Sequence, residues 1–148
     1  MEISRRTDYG IRVVLDLAAS AAGTRSATQE IARRQRIPSP FLAKIIAQLS
    51  LAGLVTTHRG AGGGVALARP PSQINLLQVI EALEGPVRLN RCLIQPQACP
   101  NDGNCPVHHI LAEAQHALTA RLASTTFDTL ADKASASAAE ASHAILAQ

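Results

Sequence analysis

Aromatic residues are scarce in this 148-residue sequence, which contains one Tyr, two Phe and no Trp. Aliphatic side chains must therefore build the hydrophobic core, since 47% of the residues are apolar. No apolar run reaches the roughly 20 residues that a membrane-spanning helix requires. The N-terminus lacks the charged-then-apolar layout of a secretory signal. We therefore expect a cytoplasmic protein without a membrane partner.

Acidic residues are few in the first half of the chain. Residues 1–69 contain ten Lys and Arg but four Asp and Glu, a net charge of +6. The remainder contains four Lys and Arg and seven Asp and Glu, a net charge of −3. Phosphate contacts supply much of the affinity of proteins for nucleic acid, so the asymmetry favours a polyanionic partner. A solvated basic surface would explain the charge equally well.

Helical periodicity is present from the start of the chain. Apolar residues at three- and four-residue steps predict a first helix over residues 7–22. Ser26 followed by Gln29 has the form of a capping box, which predicts a second, short helix to about Gln35. The turn formed by residues 36–38 then leads into a third helix.

Ser39 is the predicted N-cap of this third helix, with Pro40 at its first position, where the missing N–H costs nothing. Five apolar residues form its predicted buried stripe: Phe41, Leu42, Ile45, Ile46 and Leu49. Its other side then carries small and polar residues, as a helix that enters a major groove requires. Two short helices joined by a tight turn are typical of a helix-turn-helix motif.

Two strand-like runs follow, residues 54–59 and 65–68, around a glycine-rich turn at 60–64. They predict a hairpin wing whose tip has almost no side chains and can approach phosphates or a minor groove closely. A glycine run also resembles a phosphate-binding loop, but the Lys-Ser or Lys-Thr that follows such a loop is absent. We therefore discount a nucleotide site.

Position and charge nominate the residues that contact DNA. We expect base or phosphate contacts from the third helix, backbone contacts from the second helix and close approach by the wing. The candidates are Ser39, Lys44, Gln48, Arg33, Arg34, Arg59, Gly62 and Gly63. An ordinary solvent-facing surface is the alternative explanation for Lys44 and Gln48.

Two further helices are predicted after residue 70. Asn75 is a candidate N-cap for the first, which ends at Gly85. From about Pro106 a longer helix carries a regular apolar stripe, which could continue the core of one chain but favours a dimer seam. Helix-turn-helix proteins commonly dimerise to span two half-sites, so we expect a homodimer. For the Ala- and Ser-rich tail from Lys133, a frayed helix and disorder both remain open.

The predicted architecture is mainly α, a winged helix-turn-helix with a two-stranded wing, a cysteine-bearing loop and a long dimerisation helix. The DNA-binding region is predicted over residues 1–70. A connecting helix and the cysteine loop occupy 71–105, the dimerisation helix region 106–132 and the tail 133–148.

Three cysteines lie in one polar, loop-like segment: Cys92, Cys99 and Cys105. An odd number of thiols in a cytoplasmic protein argues against structural disulfides and favours metal binding. Zinc usually takes closer pairs, whereas iron–sulfur clusters accept varied thiolate spacings. Three thiolates need a further ligand, for which His108 in the same chain and Asp8 from a partner subunit are candidates. A negative charge in the first helical turn is the alternative role of Asp8.

The order of N-terminal helix, helix-turn-helix, wing at residues 59–64 and three-cysteine loop before a long helix resembles the Rrf-two family of bacterial iron–sulfur regulators, which includes IscR and NsrR. Residues 7–10 and 44–55 look most like the NsrR branch, in which a carboxylate at the position of Asp8 completes a four-iron cluster. Residues 105–108 are similar to the IscR pattern, in which a His at this offset completes a two-iron cluster. Both ligand schemes stay open, because the gap between the first two cysteines is one residue longer than either pattern has.

This resemblance implies a dimeric repressor, not an enzyme, that binds double-stranded operator DNA. A [4Fe–4S] or [2Fe–2S] cluster would tune its affinity in response to nitric oxide, redox state or iron–sulfur status. The alternative is an iron–sulfur or zinc-binding redox or interaction protein without a role in transcription. The sequence contains no additional catalytic constellation that would indicate an enzyme.

Overall fold

The structure is a computed structural model in which residues 2–95, 98–101 and 104–146 are described. Six helices and one hairpin make up these residues, which confirms the predicted mainly α winged-helix architecture. In chain order the elements are α1 Arg5–Ala19, α2 Thr28–Gln35, α3 Ser39–Leu51, β1 Val55–His58, β2 Gly64–Leu67, α4 Leu76–Glu84, α5 Pro106–Ala123 and α6 Phe127–Leu146. Short 3-10 turns cover Pro71–Gln73 and Arg91–Leu93. None of the described helices is long and apolar enough to span a membrane.

Helix α1 begins and ends earlier than its periodicity predicts. Ser4 is its N-cap, and its hydroxyl accepts a hydrogen bond from the backbone N–H of Thr7 at 3.3 Å. At the other end Ser20 has extended backbone angles, so the helix stops at Ala19. The apolar side of α1 is buried at Val13, Val14 and Leu17 against the remaining elements.

Ser26 does not cap α2, so this part of the sequence prediction is wrong. Its backbone is extended and pairs with Val65 of β2, with both N–H···O distances at 2.9 Å. Helix α2 starts after Ala27, which provides no side-chain cap. Ser26, two residues before α2, therefore serves as a third backbone partner for the wing, and this pairing overrides the local capping pattern.

The helix-turn-helix turn is tight because Arg36 adopts a left-handed conformation, with φ of 52°. Pro38, not Ser39, is the N-cap of α3, and Pro40 sits in its first turn one position later than predicted. No side chain caps this end, which corrects the expectation for Ser39.

Phe41 is 58% exposed and does not belong to the buried stripe of α3, contrary to the prediction. The other four predicted members are buried: Leu42, Ile45, Ile46 and Leu49. Successive residues of a helix are rotated by about 100°, so Phe41 beside Leu42 turns away from the core. Its apolar character suggested burial, but its angular position on the helix decided otherwise.

The wing is a two-stranded antiparallel hairpin with Val55 opposite Leu67 and His58 opposite Gly64. Val55, Val65 and Ala66 are buried at the base of this hairpin, while its tip is exposed. The predicted strand pair is therefore observed, although β1 is shorter than its sequence run and β2 begins one residue earlier than its run.

Helix α4 begins as predicted at its N-cap Asn75, which also forms a capping box with Gln78. The Gln78 N–H donates to the Asn75 side chain at 2.9 Å, and the Asn75 N–H donates to the Gln78 side chain at 3.0 Å. The helix ends at Gly85, whose φ of 84° is a conformation that favours glycine.

The predicted dimerisation region is interrupted at residues 124–126, where α5 ends and a second helix begins. Phe127, at the start of α6, is fully buried, and α6 packs against α1. The backbone N–H of Phe127 donates to the Ile74 carbonyl at 3.0 Å. In the described residues the Ala- and Ser-rich segment continues α6 as far as Leu146.

Phe127→Ala should destabilise the protein by about 3–5 kcal/mol, because it removes the largest fully buried side chain of the core. Chemical denaturation followed by circular dichroism measures this change. Phe41→Ala is the matched control, since the same atoms are lost from an exposed position, and it should change stability by less than about 0.5 kcal/mol. Equal effects of the two substitutions would contradict the packing of α6 into the core.

Candidate nucleic-acid interface and cysteine segment

The outward side of α3 carries small and basic side chains, as a helix that enters a groove requires. Ser39, Ala43, Lys44 and Ala47 are exposed, and Gln48 is half-buried. The predicted contact residues of α3 therefore lie on the accessible side, although Gln48 is partly covered by its surroundings.

A shallow groove runs along one edge of α3, between the start of α2 and β1. Small and hydroxyl-bearing side chains contribute most of its lining, among them Thr28, Ala43, Ala47, Ser50 and Thr57. Thr28 and Thr57 did not stand out in the sequence, because neither carries charge and only the fold brings them beside α3.

The wing tip can accept almost no side chain. A Cβ atom added to Gly63 would lie 2.4 Å from the His58 carbonyl oxygen, so only glycine fits there. Gly62 has φ of 73° and is exposed, and Arg59 is exposed at the start of the turn. The backbone of this tip is therefore scarcely covered by side chains, and the contact with DNA predicted for these residues stays a prediction.

Arg25 is a basic residue at the wing that the sequence prediction missed. Its Nη1 donates to the Gly62 carbonyl at 3.5 Å, and its side chain is exposed. The two residues are far apart in the chain, so no local pattern could have paired them. Together with Arg59, Arg25 adds positive charge beside the glycine-rich tip.

Arg34, predicted to contact DNA, is held by contacts within the chain. Its Nε and Nη2 donate to both carboxylate oxygens of Asp16 in α1 at 3.0 and 2.7 Å. Nη2 also donates to the Ser26 hydroxyl at 3.2 Å, and the hydrogen bond to Asp16 raises the pKa of Arg34. Arg34 therefore ties α1, α2 and the root of the wing together although it is exposed, while its exposed neighbour Arg33 is not part of this network.

The three cysteines are free thiols, and each is half-buried. Cys92 lies in the 3-10 turn after α4, Cys99 in a bend, and Cys105 is the N-cap residue of α5. Residues 96, 97, 102 and 103 of this segment lie outside the described part. Within the described residues, no three His, Cys, Asp or Glu side chains are close enough to hold one metal ion. The donor set of three reduced, accessible thiols nevertheless fits the chemistry of an iron–sulfur cluster.

The two candidate fourth ligands are in different surroundings. Asp8, in the first turn of α1, forms an ion pair with Arg12 at 2.7 Å, and both side chains are about half exposed. His108 is in the first turn of α5, where its backbone N–H donates to the Cys105 carbonyl at 3.1 Å. Its ring meets that of His109 edge-on, with 6.0 Å between centroids. His108 is thus adjacent to a cysteine, whereas Asp8 belongs to the helix-turn-helix half.

Glu84 joins the start of α1 to the end of α4, a role without any signal in the sequence. Its Oε1 accepts hydrogen bonds from the Ser4 N–H at 2.9 Å and from the Thr7 hydroxyl at 2.7 Å. These bonds from Ser4 and Thr7 hold the pKa of Glu84 below its usual range. The Arg6 guanidinium also donates to the neighbouring Leu83 carbonyl. After these contacts of Glu84 the chain continues into the segment that contains the three cysteines.

Two residues of the predicted dimer seam face their own chain. Leu118 and Leu122 of α5 line a cavity of about 270 Å³ together with Ile80 and Val87. The earlier part of α5 differs, because Val107 and Ile110 are 56% and 64% exposed. The C-terminal part of the stripe is therefore partly covered by its own chain without joining the buried core, and Val107 and Ile110 in the N-terminal part remain exposed.

A family model described as Rrf2, iron-dependent transcriptional regulator, matches residues 3–133 of this chain. The chain belongs to the Rrf2 family. NsrR of Bacillus subtilis is 34% identical to it over 115 residues, which are 77% of this chain and 79% of that protein. An HTH-type transcriptional regulator of Mycobacterium tuberculosis is 38% identical over 87 residues, 59% of this chain and 54% of that protein. This Rrf2-family chain thus spans a little over half the length of the first curated relatives it matches.

Solved structures of Rrf2-type regulators share the fold. CymR, the global cysteine regulator of B. subtilis, gives a TM-score of 0.75 at 26% identity and covers 90% of this chain and 98% of its own. T. potens IscR gives 0.71 at 29% identity, covering 90% of this chain and 88% of its own. The relatives are transcriptional regulators, which agrees with the expectation that the chain is not an enzyme.

Glu84→Gln should flatten the acid limb of the stability curve. A carboxylate whose pKa is lowered in the folded state stabilises that state at pH values above 4.5, the ordinary pKa of this group. That stabilisation is lost as the pH falls through the folded pKa. Urea denaturation at a series of pH values should therefore show a steeper loss below pH 4.5 for the wild type than for the variant. Glu81→Gln, an exposed glutamate on the same helix, should retain the wild-type slope, and identical slopes for all three proteins would refute the tie.

Proposed function

We propose that this Rrf2-family protein is a homodimeric repressor that binds double-stranded operator DNA through α3 and the wing. We further propose that an iron–sulfur cluster at Cys92, Cys99 and Cys105 controls its affinity. The observation that carries the DNA-binding proposal is that the wing root and α3 belong to one packed unit. Ser26 pairs with Val65 in front of α2, so the wing has a defined position beside the outward side of α3.

Exposed positive charge supports phosphate contacts at three places on this unit. Lys44 is exposed on α3, Arg33 on α2, and Arg59 at the wing tip. Arg25 adds a fourth cation next to the tip. Arg34 is assigned to the internal network with Asp16, so in this proposal it positions α2 and does not contact DNA.

Exposed apolar surface on α5 supports dimerisation. Helix α5 has 18 residues, and none of them is buried in the single chain. Val107 and Ile110 are both more than half exposed near its N-terminal end. An apolar helix surface of this kind is commonly covered by a second subunit, and two subunits would present two α3 helices to two half-sites.

The thiols of Cys92, Cys99 and Cys105 would hold the cluster, with Asp8 of a partner subunit or His108 as the further ligand. Such a cluster would supply iron that reacts with nitric oxide or oxidants, as the family resemblance implies. The chain's own residues connect this segment to the interface. On the N-terminal side of the cysteine segment, Glu84 is hydrogen-bonded to the start of α1, and on its C-terminal side Cys105 is the N-cap of α5. A rearrangement of the segment would therefore act on both the DNA-binding unit and the helix proposed for dimerisation.

Lys44→Ala and Arg59→Ala should each weaken binding to promoter DNA and lower the dependence on salt. Each lost phosphate contact reduces the slope of log affinity against log salt by about one per contacting subunit. Fluorescence anisotropy at several salt concentrations measures both effects. Lys133→Ala removes an exposed cation from α6 and is the matched control, which should leave affinity and slope unchanged. Wild-type slopes in the first two variants would refute the assigned surface.

Anaerobically purified protein should be brown, with charge-transfer absorption and bound iron and sulfide, and Cys99→Ala should lose these features. If Asp8 is the further ligand, Asp8→Ala changes the spectrum whereas Arg12→Ala, which removes the same ion pair, does not. If His108 is the ligand, His108→Ala changes the spectrum whereas His109→Ala does not. A colourless protein with stoichiometric zinc would overturn the cluster proposal in favour of a zinc-stabilised protein.

A further inference from the structure

Phe41 is a large apolar side chain on the surface of α3, with 58% of its area exposed. The other two aromatic residues of the chain are used differently. Phe127 is fully buried, and Tyr9 is half-buried against the core. A single exposed apolar residue is common on protein surfaces, so its location on the molecule must decide its significance.

That location is the first turn of the helix proposed to read DNA. The N-terminal residues of a recognition helix are those that contact base edges in the major groove. Phe41 is followed at steps of three and four residues by Lys44 and Gln48, so the three side chains form one strip along α3. A duplex that contacts Lys44 and Gln48 would therefore also contact Phe41.

Apart from Ser39, the remaining outward residues of these turns cannot recognise bases by hydrogen bonding. Pro40, Ala43 and Ala47 are exposed and have no side-chain donor or acceptor. The apolar group that base edges present in the major groove is the C5-methyl of thymine. An exposed phenyl ring among small apolar residues is suited to pack against that methyl group.

We propose that Phe41 is a specificity-determining residue that packs on a thymine methyl group in each operator half-site. This inference rests on the proposed function, because it requires α3 to occupy a major groove. It assigns the operator a thymine adjacent to the bases read by Lys44 and Gln48. It also explains why α3 carries an aromatic residue on a side where the fold provides no cover.

The test uses duplexes that purified wild-type protein enriches from a randomised pool. Each thymine of the enriched sequence is replaced in turn by deoxyuracil, which removes the methyl group and leaves the hydrogen-bonding edge unchanged. One thymine per half-site should be sensitive, with wild-type affinity falling about fourfold, the equivalent of one methyl group returned to water. Phe41→Ala should bind the thymine and deoxyuracil duplexes equally, because the contact is already lost.

Leu51→Ala is the matched control, since Leu51 is 90% exposed at the other end of α3, about 15 Å farther along the helix axis. This variant should retain the wild-type preference for thymine over deoxyuracil. Circular dichroism and sedimentation should show that both variants keep the fold and the oligomeric state.

Three results would overturn the contact. The first is a Phe41→Ala protein that still discriminates thymine from deoxyuracil as the wild type does. The second is a wild type that is indifferent to every thymine. The third is a change of oligomeric state in Phe41→Ala with discrimination intact, which would assign Phe41 to a protein interface. If the wild type enriches no duplex at all, the proposed DNA-binding function fails, and this inference fails with it.

Discussion

Gly10 leaves room in α1 for Leu83 of α4, and this close approach joins the two halves of the molecule. A Cβ atom at Gly10 would lie 2.2 Å from Leu83 Cδ1, and Leu83 is buried. Glu84, the next residue, accepts hydrogen bonds from Ser4 and Thr7 at the start of α1. Helix α1 is thus part of the winged-helix unit and also contacts the end of α4, which precedes the cysteine segment.

The root of the wing depends on a second set of contacts around Ser26. Its backbone pairs with Val65, its hydroxyl accepts from Arg34, and Arg34 is held by Asp16 of α1. A Cβ atom at Gly64 would lie 2.6 Å from the Ser26 carbonyl oxygen, so the pairing also requires glycine at that position. The root of the wing is consequently attached to both helices that precede α3.

Local signals were sufficient for much of the fold. The capping box of α4 places Asn75 three residues before Gln78, and the glycines of the wing turn all lie within residues 60–64, so short windows of sequence contain the whole pattern. Of the candidate site, sequence position alone put Lys44 and Arg59 on exposed elements and all three cysteines in one segment. Each of these features is determined by neighbours in the chain.

Tertiary contacts decided the rest. Ser26 pairs with Val65 and does not cap α2, and Arg34 is hydrogen-bonded to Asp16. In both cases a partner distant in the sequence outweighed the local preference. Phe41 looked like a core residue by type, yet the direction in which α3 packs turned it outward. The sequence by itself thus determined the order of elements, the small residues of the wing and the chemistry of the thiols. Only the packed structure decided which polar and aromatic side chains are bonded or buried within the chain and which remain exposed to a partner. The reason is that burial depends on contacts between segments that are far apart in the sequence.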